Sequence, residues 1–318
     1  MAHFRILFSL LIILCNSCAI ETAKPSEHQY IHLASDCLTG KDKFLFKDFT
    51  HKTGIHVHII NLNSEDLEER LKLEKTDSKI DAVILQSSYD ALILEQSKLL
   101  HKIPVDSFPN EINPKYRSGK LSVIGLGFDP YVIIRRSEAA RIKNYASILN
   151  SSGFCTDLSQ PSDLAPFYFF IHKKAPSLAV EWIKDFNRKK IKVLSTYDTL
   201  IYSYLLFTKR SSFERKKESS LTSYKSGELI YPNQRIGGSY YDMPTFGIIK
   251  QAPNFSNSLA LMKHLLSFKG NIKLNDRLKT ISYFSKSKEK RFKRDRNSPL
   301  RTNKFQADVQ RYFISSSK

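Results

Sequence analysis

The chain has 318 residues and a mass of 36.7 kDa, enough for two modest domains or one large one. Hydrophobic residues make up 41% and charged residues 25%, which excludes global disorder, and four cysteines exclude a disulfide-dense scaffold. Fifty Lys and Arg against 31 Asp and Glu give a formal charge of +19, which predicts attraction to anionic partners and is silent on fold. A mean hydropathy of -0.34 without a second long apolar run excludes a polytopic membrane protein.

Residues 1–19 read as a signal peptide. Arg5 supplies the positive start, Ile6 to Leu14 an apolar stretch too short to span a bilayer, and Ser17 and Ala19 a small-residue cleavage site. Cys18 offers lipoprotein processing as a second route, although Cys15-Asn16-Ser17 is a poor lipobox. Export leaves Cys37 and Cys155. They read either as a bridge or as two unrelated thiols, Cys155 then being a small hydrophobe in a strand.

The mature chain opens with alternating strand and helix signals. Tyr30 to Ala34 is a buried strand; Lys41 to Lys52 is helical, with Leu45 and Phe49 four apart and Gly54 as its stop. Ile55, Val57 and Ile59 alternate with His56 and His58, the period of a strand. Asn63 and Ser64 open a helix with acids in its first turns and Leu67 and Leu71 on its inner face. Ile80 to Leu85 is a strand covered on both faces, and Tyr89 to Leu100 an amphipathic helix. This order argues an α/β domain with a largely parallel sheet. Further on, Leu121 to Leu126 and Tyr131 to Ile134 are strands, Pro176 opens a helix, and Ile191 to Leu194 is a short strand. Residues 208–227 read as an exposed loop or loosely held helix, 230–249 carries strand signals, and Ser258 to Phe268 is a helix. Residues 285–318 carry eleven Lys or Arg against three acids.

The order of motifs resembles a known family. Phe49-Thr50-His51-Lys52-Thr53-Gly54-Ile55-His56-Val57, the helix from Ser64 to Leu71 and the strand Ile80 to Leu85 look like the start of a ferric-iron-type extracellular solute-binding protein. Val180 to Phe186, Tyr231-Pro232-Asn233-Gln234, Gly247 to Asn254 and Phe305-Gln306-Ala307-Asp308 continue the likeness in order over nearly the whole mature chain. The resemblance implies a two-lobed α/β fold of the type II periplasmic-binding kind, with a ligand cleft between lobes joined by crossing hinge strands. It places 28–127 plus 243–280 in the first lobe and 128–242 plus 281–318 in the second. It implies a monomeric, periplasmic, non-enzymatic component of an ABC importer, partnered by a permease and an ATPase, with ferric iron as cargo and a synergistic anion beside it.

Ferric iron wants anionic oxygen ligands. The family's tyrosine pair corresponds to Tyr202 and Tyr204, spaced by two rather than adjacent. On a strand both rings share a face; on a helix they diverge by roughly 200°. The first loop, Ser35 to Gly40, has neither His nor Tyr, so Asp36 is the carboxylate candidate there, or else a turn or capping residue. Tyr131 is a spare phenol near the second crossing strand. Tyr240 and Tyr241 are adjacent, so alternation sends one ring inward and the other out. The nine histidines carry no metal signature, and His56 and His58 read as the exposed face of a strand.

Two other readings stand beside this one. The same fold could bind a polyamine, a thiamine-like cation or a small anion, with the Tyr240 and Tyr241 rings stacking on an organic cation. Alternatively the chain is an exported basic protein that contacts anionic surfaces, including lipid, through segments outside the cleft. No nucleic-acid motif supports a third class of partner. No Gly-x-Ser-x-Gly, phosphate-binding loop or His/Cys metal spacing supports an enzyme.

Overall fold

The structure, a computed structural model, describes residues 29–135, 144, 154–156, 205–219, 228–232 and 238–285. The N-terminal export segment, Tyr202, Tyr204, the helix expected from Pro176 and the basic C-terminal segment from 286 onward lie outside the described residues.

Two sheets form the frame. The first contains β1 (Tyr30–Ser35), β2 (His56–Asn61), β3 (Ala82–Leu85), β4 (Val123–Gly125) and β10 (Thr245–Ile248), in the order β2-β1-β3-β10-β4. Strands β1, β2 and β3 are parallel, and β10 runs antiparallel to both of its neighbours. The second contains β5 (Asp129–Arg135), β6 (Phe154–Thr156), β7 (Leu205–Lys209) and β8 (Glu228–Ile230), in the order β6-β7-β5-β8. The two-residue β9 (Tyr241–Asp242) pairs with the start of β5.

Local chemistry explains the first-sheet elements. A 3-10 turn over Gly40–Phe46 is capped reciprocally by Thr39 and Asp42. It runs into α1 (Lys47–Thr53), which ends at Gly54 with a left-handed φ of 73° that costs glycine nothing. Asn63 caps α2 (Ser64–Glu74) by accepting from the Asp66 N–H at 2.7 Å, and Leu67 and Leu71 face the core. Helix α3 (Ser88–Gln96) stops short of the expected Leu100, which instead bridges Ile249.

The C-terminal half differs more from expectation. Helix α5 (Phe255–Leu266) buries Leu261 and Leu265, but Phe268 is 61% exposed and opens a separate helix, α6 (Phe268–Leu278), that the apolar spacing did not announce. Ser267 caps α6 by accepting from the Gly270 N–H. The polar stretch expected as loop or loose helix forms α4 (Arg210–Ser219), anchored by buried Ser211 and Phe213.

One apolar core fills the first lobe and also takes Ile281, Tyr283 and Phe284, residues expected with the second lobe. A smaller cluster of Val132, Ile134 and Phe213 fills the described part of the second lobe. Two segments cross between the sheets: Leu126 to Phe128, linking β4 to β5, and Met243 to Pro244, linking β9 to β10. They are tied by Leu126 N–H donating to the Pro244 carbonyl and by the Asp129–Asp242 and Pro130–Tyr241 pairings. Gly127 sits where a Cβ would fall 1.8 Å from the Asn275 side-chain oxygen and 2.9 Å from the Ile281 carbonyl, so the crossing needs a residue without one. Among the described residues, no helix is long and apolar enough to cross a membrane.

Candidate functional site

Parallel strands end at their carboxyl edge in loops and helix N-termini, the natural ligand side of an open α/β sheet. Here that edge meets the crossing strands. Asp129 and Asp242 lie opposite one another in register and are 0% and 1% exposed. Buried carboxylates are costly unless paired or hydrogen-bonded; Asp242 has an ion pair and hydrogen bonds, and Asp129 has hydrogen bonds.

Asp242 accepts from the Ser88 N–H at 3.0 Å and hydroxyl at 2.5 Å, the Ser87 hydroxyl at 3.1 Å and the Met243 N–H at 2.8 Å. It therefore sits on the N-terminus of α3, where the helix dipole favours an anion. From the other lobe, the Lys209 ammonium donates to it at 2.9 Å. Asp129 does the converse. It accepts from the Ser211 N–H at 3.0 Å and hydroxyl at 2.5 Å, in the first turn of α4 in the second lobe, and from the Gln86 amide at 3.2 Å in the first. Each crossing-strand acid thus caps a helix of one lobe and reaches a side chain of the other. Arg215, one turn along α4, donates to the Gln86 side-chain oxygen at 3.4 Å.

The two acids titrate in opposite directions. Burial pushes the Asp129 carboxyl up. Burial opposes the charge of Asp242 as well, but the Lys209 ammonium and the Ser88 donors outweigh it and hold that carboxyl below the usual range.

Beside this clasp lies a half-buried group open to the cleft. Asp36, just beyond β1, accepts the Gln86 N–H at 2.9 Å, and burial raises its pKa. Asp90, on α3, is pushed up to about 7, first by burial, then by the charge of Asp36; Lys209 pulls the other way. Tyr89 beside it is pushed up to about 12 by burial and by the Asp90 charge. Cys37 is a free thiol near the Ser35 hydroxyl and the Ile84 carbonyl, and burial raises its pKa well above the ordinary value. Cys37 therefore forms no bridge with Cys155.

Of the sequence candidates, Asp36 is half-buried just beyond β1 beside Gln86 and Cys37. Tyr131 is 1% exposed, stacked on Phe207 with centroids 5.5 Å apart, and has the Lys209 ammonium 5.7 Å from its ring centroid. Tyr240 and Tyr241 point apart: Tyr240 packs toward Tyr131, and Tyr241 lies edge-on to Phe128 in the first-lobe core. The residues that organise the cleft, Gln86, Ser88, Asp90, Asp129, Lys209, Ser211, Arg215 and Asp242, were not singled out by sequence. Lys209 and Arg215 belong to the segment whose charge was expected to lie outside the cleft. Four carboxylates, Asp36, Asp90, Asp129 and Asp242, face these two bases, so the described cleft is acidic within a strongly basic chain. Among the described residues, no group of three or more His, Cys, Asp or Glu could hold a metal ion.

The sequence matches no protein-family model. Solved structures of similar fold include the Trichodesmium protein IdiA (FutA) in complex with iron and citrate, 19% identical over 90% of this chain and 99% of that one, TM-score 0.80. Apo FutA2 from Synechocystis PCC6803 is 16% identical over 91% and 98%, with a TM-score of 0.76. A ferric binding protein from Campylobacter jejuni is 16% identical over 90% and 99%, with a TM-score of 0.75. The chain has the two-lobed fold of these periplasmic-type binding proteins, joined by crossing strands.

Proposed function

We propose that this chain is the substrate-binding component of an ABC importer, holding ferric iron and an accompanying anion between its lobes in the periplasm and delivering them to a membrane permease driven by its ATPase. The observation that carries the reading is the half-buried pair Asp36 and Asp90. Both carboxyls are hard oxygen donors whose ionisation is disfavoured until a cation arrives. The proteins of like fold that hold iron support the choice of cargo. By the sequence resemblance, Tyr202 and Tyr204 would supply phenolate oxygens beside Asp36, with Asp90 as a further carboxylate. Lys209 and Arg215 on the facing lobe suit the anion, which lowers the net charge brought into a poorly solvated cleft. Capture and release need no nucleophile or general base, which fits a binding protein better than an enzyme.

The test is aerobic loading of the purified protein with ferric citrate, followed by elemental analysis and visible spectroscopy. One iron per chain and a phenolate-to-iron charge-transfer band that weakens in Tyr202→Phe and Tyr204→Phe are expected. A colourless, iron-free protein after loading overturns the reading. One observation favours a second reading: the Lys209 ammonium already sits between the Tyr131 ring and Asp242, the chemistry that would hold a polyamine or thiamine-like cation. A thermal shift with spermidine or thiamine and none with ferric citrate would favour it.

A further inference from the structure

Two segments of the first lobe, far apart in sequence, build one basic face. Residues 40–53, the 3-10 turn and α1, carry four Lys against two acids; residues 263–279, the end of α5 and all of α6, carry five bases against one. Two of the acids serve as ties between the segments. Lys269 and Lys273 reach Asp48 at 3.2 and 2.7 Å, and Arg277 forks onto the buried Asp42 through Nε and Nη2. Positions 269, 273 and 277 are four apart, one stripe of the helix, so α6 lies alongside the 3-10 turn and α1. The other lysines are surplus: Lys41, Lys43, Lys47, Lys52 and Lys263 are exposed and form no ion pair among the described residues. Their crowding is felt at His264, whose ring packs on Phe49. Burial first, then the Lys52 and Lys273 charges, hold its pKa below the ordinary value against the pull of Asp48.

We propose that this face docks on an anionic lipid membrane, its lysines on headgroup phosphates and two phenyl rings at the boundary between headgroups and acyl chains. Phe268 is 61% exposed and Phe44 49%, the only phenylalanines so open among the described residues, and each lies on one of the two segments. Charge alone serves solubility; a bare phenyl ring among lysines calls for an apolar host, which the acyl boundary of a bilayer supplies. Eight of the nine bases are Lys, and the one Arg is already spent on Asp42. Lysines are compact point charges suited to a fluid array of phosphates, whereas planar readout of a fixed anionic site favours Arg. None of the cleft residues belongs to these segments, so the inference stands whatever cargo the cleft carries.

The test is sedimentation of the chain from residue 20 onward with vesicles of equal parts phosphatidylglycerol and phosphatidylcholine, against phosphatidylcholine alone. Binding to the anionic vesicles only, weakening as salt rises toward about 0.5 M, is expected. Lys47→Gln/Lys52→Gln should weaken it roughly thirtyfold, from about fivefold for each lysine held near an anionic surface. Lys102→Gln/Lys120→Gln removes the same charge from exposed positions elsewhere on the first lobe and should bind within about twofold of the parent. Phe44→Ser, which changes no charge, should weaken binding about threefold or more. Phe268→Ser should match it; should the loss of its contact with Phe284 unfold the chain, Phe44→Ser still decides. No preference for anionic vesicles, or equal losses in the two lysine pairs, overturns the proposal. So does unchanged binding in Phe44→Ser, or tighter binding of duplex DNA than of vesicles.

Discussion

Replacing Asp90 with Asn removes a charge that the folded protein holds at a cost. Burial, Asp36 and Asp242 raise this carboxyl from 3.8 to about 7, against the pull of Lys209 and the Ser64 hydroxyl. That rise separates its charged and neutral forms by roughly 4 kcal/mol. Between those two pH values the folded state keeps a proton that the unfolded chain has lost, so wild-type stability falls as pH rises through the window. Asn keeps the shape and removes the titration. Asp90→Asn should therefore match the parent within about 0.5 kcal/mol at pH 4 and exceed it by up to about 4 kcal/mol at pH 8. Urea unfolding at a series of pH values measures the gap. The same variant should gain less than the parent from ferric citrate in a thermal-shift assay at pH 8, because the cation has lost a partner. A pH-independent gap, or a variant less stable than the parent at pH 8, would refute the account of Asp90 as a desolvated acid awaiting a cation.

Asp242→Asn should behave oppositely. It breaks the buried ion pair with the Lys209 ammonium, costing about 3–5 kcal/mol in urea unfolding. Because the Asp242 pKa is lowered, that loss should be full above 3.8 and shrink as pH falls below it; an unchanged gap at pH 2.5 would count against the ion pair as its source. Gly127→Ala should cost about 2–3 kcal/mol, since Asn275 is held by the Leu126 and Asn271 carbonyls and the Thr280 hydroxyl and cannot retreat from the new methyl group. Unaltered stability there would mean that the crossing segment shifts freely.

The first three strands and their helices were legible because each carries its own period and caps: Leu67 and Leu71 four apart behind Asn63, and Ile80 to Leu85 as one apolar run. Helix α6 escaped notice because its buried Leu274 and Leu278 are interleaved with Asn271 and Asn275, polar residues that satisfy one another and the Leu126 carbonyl and so dilute the apolar stripe. The clasp was illegible for a different reason. Ser88 and Asp242 are 154 positions apart, and Asp129 and Ser211 are 82 apart, so neither partner signals the other locally. A weaker cue was present. Asp129 stands beside Phe128 and Pro130, and Asp242 beside Tyr241 and Met243, acids set in apolar surroundings that demand a partner on burial. Lys209 was read with the polar segment that follows it, although it is the last residue of a strand.

The strand order of the first sheet also bears on when the fold can close. β10 lies between β3 and β4 and is their shared neighbour, yet it begins at residue 245, 120 positions after β4 ends. Until that segment arrives, β3 and β4 present unpaired edges with a gap one strand wide, and the first lobe cannot complete its core from its own contiguous chain. Such long-range pairing slows folding and prolongs exposure of sticky edges. A chain built this way stays unfinished until most of it has been made, a property that matters to any machinery that must handle it before it folds.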